Sequence, residues 1–438
     1  MCDITVLMEL IYDYVEDNPT LISEPTFEED LIDSIFELYT ADDSTEDSYK
    51  RSESQDCFDE EDIYLALDLL DIPRRSYTFE PTWIQPPNKT HISGILRALF
   101  EKNANQEQRT EEWYMTRYNM ITASNAYKCF EGEGTRNQLI FEKCKPFSAT
   151  GTCFSSNVES PTHWGVKYEP VSVMYYEHVY KCQVGALSCI QHAEYPFIGA
   201  SPDGIVVSHD SEKYGRMLEI KNIFNREITG IPKKEYWVQM QMQMEVCNLE
   251  YCDFLETRFE EYATEEDYVN DIDELNINKQ GEYTGVILYF YDEEGAKYVY
   301  KPFTAVYSNV WLNAEKERMQ KEGCTFVKCC FWRLDEVSCV LVQRNRMWFA
   351  DNVGKMRELW DIVLHERKTG YKHREPKRKT PIVQQTARAS TLSDSLHVSI
   401  SVASRETKPS LSVTKLPCSI ILDDDLTTAS SIELDSGK

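Results

Sequence analysis

The segment Met217-Leu218-Glu219-Ile220-Lys221-Asn222 constrains the fold of this chain more than any other. Side chains along a strand alternate between faces with a period of two, so Leu218 and Ile220 enter a core on one side while Glu219 and Lys221 share the other. Such a strand needs an apolar layer behind it and holds a carboxylate beside an ammonium in front. Alone, a Glu-x-Lys pair is usually a solvated strand face, and its meaning depends on what the rest of the chain brings to it.

Two upstream segments add to it. Gly199-Ala200-Ser201-Pro202-Asp203-Gly204 lies between the apolar stretches Tyr195 to Ile198 and Ile205 to Val207 and reads as a tight turn. Asp203 precedes Glu219 by sixteen positions, enough for a hairpin that returns Glu219 beside Asp203. Earlier still, Trp164-Gly165-Val166-Lys167-Tyr168-Glu169-Pro170 opens a helix and places Glu169 in its first turns, where an acid can also simply offset the helix dipole. The order is an acid on a helix, an acid at a turn, then acid-x-lysine on a strand, which is the order a hydrolytic nuclease needs.

The chemistry explains why those residue types belong together. A phosphodiester repels hydroxide through its own charge and has a poor alkoxide leaving group. A hard divalent cation relieves both difficulties. Asp203, Glu219 and Glu169, with the Ile220 carbonyl, supply oxygen ligands for Mg2+, with Mn2+ as the alternative. Lys221 would orient or help deprotonate the attacking water, or offset charge developing on the phosphorane, and the residues alone do not choose between these roles.

A formal charge of −28 looks wrong for a phosphate-binding protein, but its distribution matters. Residues 1–80 hold 24 Asp or Glu against 4 Lys or Arg, which leaves the other 358 residues at only −8. A local basic groove is therefore compatible with the rest of the chain. No run approaches the roughly 20 apolar residues of a membrane span, and the N-terminus lacks a basic start followed by an apolar run, so an intracellular protein with reduced cysteines is expected.

Three regions follow from the patterning. Residues 1–80 form an acidic segment of short amphipathic helices with a linker at Ala41 to Glu61, and Pro73, Pro81, Pro86 and Pro87 mark its end. Residues 90–365 alternate helical and strand patterns, with strands at Ile198 to Val207, Met217 to Asn222, Gly285 to Tyr291 and Tyr298 to Phe303. Helices are expected near 165–181 and 233–248, and at Ser308 to Glu322 and Arg344 to Arg367. Residues 368–438 read as a disordered tail, basic at first and then rich in Ser and Thr. Its block at 372–379 suggests nuclear import or an auxiliary DNA contact.

These pieces together resemble the lambda-exonuclease and YqaJ-like viral recombinase family of PD-(D/E)XK nucleases, which is related to the viral alkaline exonucleases. Trp113, Arg117, Ile121, Thr122, Ala123 and Ser124 reproduce the family's Trp-x3-Arg-x3-Ile-Thr-Ala-Ser pattern, and Tyr236-Trp237-Val238-Gln239-Met240-Gln241 looks like its Tyr-x-x-Gln-x-Gln helix. Gln, Met and Glu favour helix over strand there, and on a helix Tyr236, Gln239 and Gln243 share one face while Gln241 lies elsewhere. The match covers roughly residues 110–255 and departs where Asn119 replaces a usual glycine.

The resemblance implies an α/β fold with a restriction-endonuclease-like core, a mixed central sheet flanked by helices. It implies an Mg2+-dependent deoxyribonuclease cutting duplex ends 5′ to 3′ in viral DNA recombination or processing, in the nucleus or a viral replication compartment. A structure-selective endonuclease and a silent DNA-binding scaffold are the alternatives. It assigns Arg117, Ser124, Ser201 and Gln241 to DNA, and Gln239 to the active-site water or DNA. DNA is the expected partner, with a single-strand annealing or replication protein beside it and a trimer as one assembly. Cys324, Cys329, Cys330 and Cys339 do not make a paired Cys-x2-Cys signature and are expected to be reduced thiols.

Overall fold

Helical spacing of apolar residues builds the first unit. In the computed structural model the described residues are 4–17, 26–41, 59–70, 88–103, 108, 110–147, 160–272, 276–293 and 295–376. Helices α1 (Ile4–Asp17), α2 (Phe27–Ala41) and α3 (Glu60–Leu69) turn Leu7, Ile11, Leu31, Ile35, Ile63 and Leu67 into a small core of their own. Most of the expected linker, residues 42–58, lies outside the described residues.

The chain resumes with α4 (Lys89–Asn103) and α5 (Glu111–Tyr118), then β1 (Ile121–Thr122), α6 (Ala123–Ala126) and α7 (Glu133–Cys144). Next come α8 (Pro161–Tyr180), β2 (Val184–Gly185), β3 (Ile190–Gln191), β4 (Ile198–Ala200), β5 (Gly204–Val206) and β6 (Met217–Ile223). The remainder is α9 (Lys234–Cys247), β7 (Tyr251–Glu261), α10 (Glu265–Asp271), β8 (Thr284–Asp292), β9 (Gly295–Tyr300), α11 (Asn309–Lys321), β10 (Thr325–Gln343) and α12 (Arg346–Thr369).

A seven-stranded sheet in the order β2-β5-β6-β7-β10-β8-β9 forms the centre, with β6 and β7 parallel and its other neighbours antiparallel. A smaller sheet, β1-β4-β3, stands apart from it. On one face of the large sheet Tyr176 of α8 packs with Leu218, Ile220 and Leu255. On the other, Trp237 and Met240 of α9 and Met356 and Leu359 of α12 pack with Met217 and Phe254. This is the expected mixed sheet flanked by helices, and it buries β6 from both sides.

Three local expectations are corrected. The stretch read as one strand-turn-strand from 198 to 207 divides between sheets: β4 pairs with β1 and β3, whereas β5 pairs with β2 and β6. Gly204 permits the switch, since a Cβ there would come within 2.1 Å of Val184 Cγ1 on β2. Helix α8 begins at Pro161, capped by Ser160, so Glu169 sits in its third turn, beyond the reach of an N-terminal dipole. Order also persists past Lys368, because Arg374 donates to Glu366 through Nε at 2.8 and 2.7 Å and also reaches Asn137. Of the basic block, residues 377–379 lie outside the described residues, as does the rest of the tail.

Candidate active site

Alternation along β6 sends Leu218 and Ile220 into the core beneath α8 and leaves Glu219 and Lys221 on the side of α9. The β5–β6 register, Gly204 opposite Leu218 and Ile205 opposite Met217, brings the residue just before β5 to the same level. That residue is Asp203, and the Ile220 N–H donates to its Oδ2 at 2.7 Å. Asn222 fixes the third element. Its side-chain amide donates to the Gly165 carbonyl at 3.0 Å and its Oδ1 accepts from Ser172 at 2.7 Å, which ties α8 to β6.

The electrostatics follow from this crowding. Burial, then the charges of Glu219 and Glu169, hold the Asp203 carboxyl well above the usual carboxylate range, against the opposing influence of Lys221 and the Ile220 N–H. Glu219 is 1% exposed, and both its oxygens are engaged: Oε1 by Lys221 Nζ, Oε2 by Gln243 Nε2 at 2.7 Å. Burial would lower the Lys221 pKa, but Glu219 and Asp203 together raise it. Its amine also donates to Gln239 Oε1 at 3.3 Å and lies 4.7 Å from the centre of the Tyr236 ring.

Asp203, Glu219, Lys221 and Gln239 are thus brought together, with Glu169 close enough for its charge to be felt at Asp203. Gln243 is the site residue that the sequence reading passed over. Its signal was present, because Tyr236, Gln239 and Gln243 share one helical face. Gln241 is a correction to the DNA-contact assignment. It is 1% exposed, its Nε2 donates to the Gln343 carbonyl at 2.8 Å and its Oε1 accepts from the Asn345 N–H at 2.6 Å. Its amide therefore joins α9 to the junction of β10 and α12.

A second cluster adjoins the first through the Ser201-Pro202-Asp203 turn. Trp113 and Arg117 stand one turn apart on α5, which Thr110 caps, and the guanidinium lies 4.5 Å from the Trp113 ring centre. Arg117 donates to Ser201 Oγ at 3.0 Å and to Ser124 Oγ at 3.4 Å. The motif spacing is explained by this geometry: one helical turn, then a two-residue strand, then the start of α6. Lys143 Nζ donates to the Arg117 carbonyl at 2.7 Å, and burial, then Arg117 and Arg367, push its pKa down to about 7. Asn119 has φ −88°, so no glycine is required there, and its Oδ1 accepts from Arg367 at 3.1 Å.

The donor set suits a hard divalent cation: Asp203 and Glu219 share one ammonium, and the charges of Glu219 and Glu169 add to burial in raising the Asp203 pKa. As the side chains stand, Glu219 is committed to Lys221 and Gln243. Among the described residues, no group of three or more His, Cys, Asp or Glu side chains is already arranged to hold an ion. The ten cysteines among the described residues are free thiols, Cys324, Cys329, Cys330 and Cys339 included.

Known proteins resemble parts of this chain. Residues 112–250 match the YqaJ-like viral recombinase domain. An uncharacterized protein of Acanthamoeba polyphaga mimivirus is 28% identical over 302 residues, which are 60% of this chain and 53% of the relative, so the chain spans about half the length of that protein. Among solved structures, an alkaline exonuclease (LHK-Exo) from Laribacter hongkongensis is 18% identical with a TM-score of 0.36, covering 59% of this chain and 95% of that one. A phage-related exonuclease from Haemophilus somnus 129PT is 14% identical with a TM-score of 0.30, covering 57% and 93%. The segment that matches the YqaJ-like viral recombinase domain, 112–250, is the one that carries Arg117, Ser124, Glu169, Asp203, Glu219, Lys221 and Gln239.

Proposed function

We propose that this chain is a metal-dependent DNA exonuclease that hydrolyses phosphodiester bonds from duplex ends, 5′ to 3′, in viral DNA recombination or processing. The observation that carries this reading is the crowding of acid at one point of the sheet, where Asp203 and the buried Glu219 share the Lys221 ammonium and Glu169 adds its charge at Asp203. Asp203, Glu219, Glu169 and the Ile220 carbonyl would hold Mg2+ or Mn2+. When bound, the ion supplies Lewis acidity to a nonbridging phosphate oxygen and acidity to a water.

The remaining steps belong to the side chains. Lys221, restrained by Gln239 and the Tyr236 ring, presents positive charge where the phosphorane develops. Arg117, braced on Trp113, turns two N–H groups toward Ser124 and Ser201, and this trio offers a phosphate a guanidinium and two hydroxyls. Ser201 lies two residues before Asp203. A phosphate held by the trio is thereby set beside the acids, which supports a reading in which a terminal 5′ phosphate is anchored and its neighbour is cut.

The test is a blunt, 5′-phosphorylated linear duplex beside a covalently closed circle, each with Mg2+, Mn2+ or EDTA. Mononucleotide release from the linear duplex alone, abolished by EDTA, is expected. Cutting of the closed circle would establish an endonuclease instead, and metal-independent or absent cleavage with DNA still bound would leave a binding scaffold.

A further inference from the structure

The ion pair between Lys221 and Glu219 has to open if Glu219 is to take a divalent cation, and this inference rests on that reading of the site. An ammonium leaving a carboxylate in a partly buried site needs another acceptor, or it stays and competes with the ion. Gln239 and the Tyr236 ring are neutral. A further acid stands beside Lys221 on β7.

Lys221 and Glu256 are register partners on the parallel pair β6–β7, so their side chains leave the same face side by side, at the roughly 5 Å spacing of adjacent strands. Glu256 is 1% exposed, and only half of its carboxylate is used. Its Oε1 is held by Arg226, whereas its Oε2 is buried without a hydrogen-bond partner. Arg226 is itself fixed, since Arg258 donates to its carbonyl at 2.6 Å and its guanidinium lies 5.5 Å from the centre of the same Tyr236 ring that Lys221 approaches. A buried carboxylate oxygen with no partner is costly and needs an explanation.

We propose that Glu256 is a positioning residue whose free Oε2 receives the Lys221 ammonium when Glu219 turns to a divalent cation, keeping the lysine charged and beside the reaction centre. Glu256 would then tune cation affinity without touching the cation. Its effect would pass entirely through Lys221.

Mn2+ titration of the full chain by calorimetry tests this with Glu256→Gln, Lys221→Met and the double variant. Glu256→Gln is expected to weaken Mn2+ binding about tenfold, because Lys221 then stays on Glu219, and to change it less than about twofold once Lys221 is Met. Glu256→Asp keeps the charge that Arg226 requires while shortening the reach, and serves if the Gln variant does not fold. It should weaken binding with the same dependence on Lys221. Equal affinity in the parent and both Glu256 variants, or an undiminished loss in the Lys221→Met background, overturns the proposal alone. A parent that binds no Mn2+ overturns the metal reading and this proposal together.

Discussion

Two buried acids lie one register step apart on the central sheet and are treated in opposite ways. Asp253, opposite Leu218, is 1% exposed: its Oδ1 accepts from Arg216 at 3.2 Å, and its Oδ2 accepts from Lys213 at 3.1 Å and from the Tyr176 hydroxyl at 2.6 Å. Two cations and a phenol answer one carboxylate. Across the sheet, Glu219 is opposite Phe254 and shares the Lys221 ammonium with Asp203, and burial together with Glu219 and Glu169 lifts the Asp203 pKa. Balanced burial of charge ties elements together, here β7 to α8 and to the loop before β6. Unbalanced burial leaves a demand for positive charge that something from outside must meet.

Exchanging single atoms should separate the two roles. Asp203→Asn or Lys221→Ala should lower DNA cleavage by at least about a hundredfold, since each removes a chemical group and almost no core volume. The Asp203→Asn variant should melt no lower than the parent, because one of three mutually repelling acids has been neutralised; a large fall in melting temperature would contradict the imbalance. Asp253→Asn should do the reverse. Leaving Lys213 and Arg216 buried without their acid should cost about 3–5 kcal/mol in denaturant unfolding. If soluble Asp253→Asn protein retained full stability, the balanced network would have no architectural role.

The same contrast explains what was legible in the chain. The acid-turn-acid-x-lysine order could be read because β6 alternates cleanly and a Pro-Asp-Gly turn is local. Strands β7 and β10 were not foreseen. In β7, Asp253 and Glu256 interrupt an apolar run, and the distant Tyr176, Arg216, Lys213 and Arg226 make them compatible with a buried strand. In β10, register shifts between Phe326 and Lys328 and between Leu334 and Glu336 break the period of two. Gln241 was misread for a similar reason: a motif places a residue on a helix, but its backbone partners at Gln343 and Asn345 lie about a hundred positions away.

A smaller effect is expected where the acid site meets the basic cluster. Arg117→Ala should weaken use of 5′-phosphorylated ends by about 1–3 kcal/mol, read as the ratio of kcat/KM for phosphorylated and unphosphorylated duplexes, while leaving Mn2+ binding unchanged. If the parent cuts both ends equally well, Arg117 has no role in recognising a terminal phosphate. If Mn2+ affinity falls with the substitution, the two clusters are not separable.

The smallest effect concerns a third kind of acid, on the surface. Helices α1, α2 and α3 carry thirteen Asp or Glu and no Lys or Arg, and while Leu7, Ile11, Leu31, Ile35, Ile63 and Leu67 fill their own core, Val6, Leu38, Leu65 and Leu69 stay exposed. Exposed charge of this kind acts only through solvent, so its influence must fade as salt shortens the screening length from about 30 Å at 0.01 M to about 8 Å at 0.15 M. The enclosed acids at Asp203 and Glu219 are screened much less. If the N-terminal acids compete with DNA for the cluster around Arg117 and Lys143, a chain beginning at Pro81 should bind and cut duplex about two- to threefold better than the full chain at low salt, converging with it at physiological salt. Binding isotherms and initial rates across a salt series measure both. Curves that coincide at every salt concentration would remove autoinhibition and leave the three helices to recruit a partner or do neither.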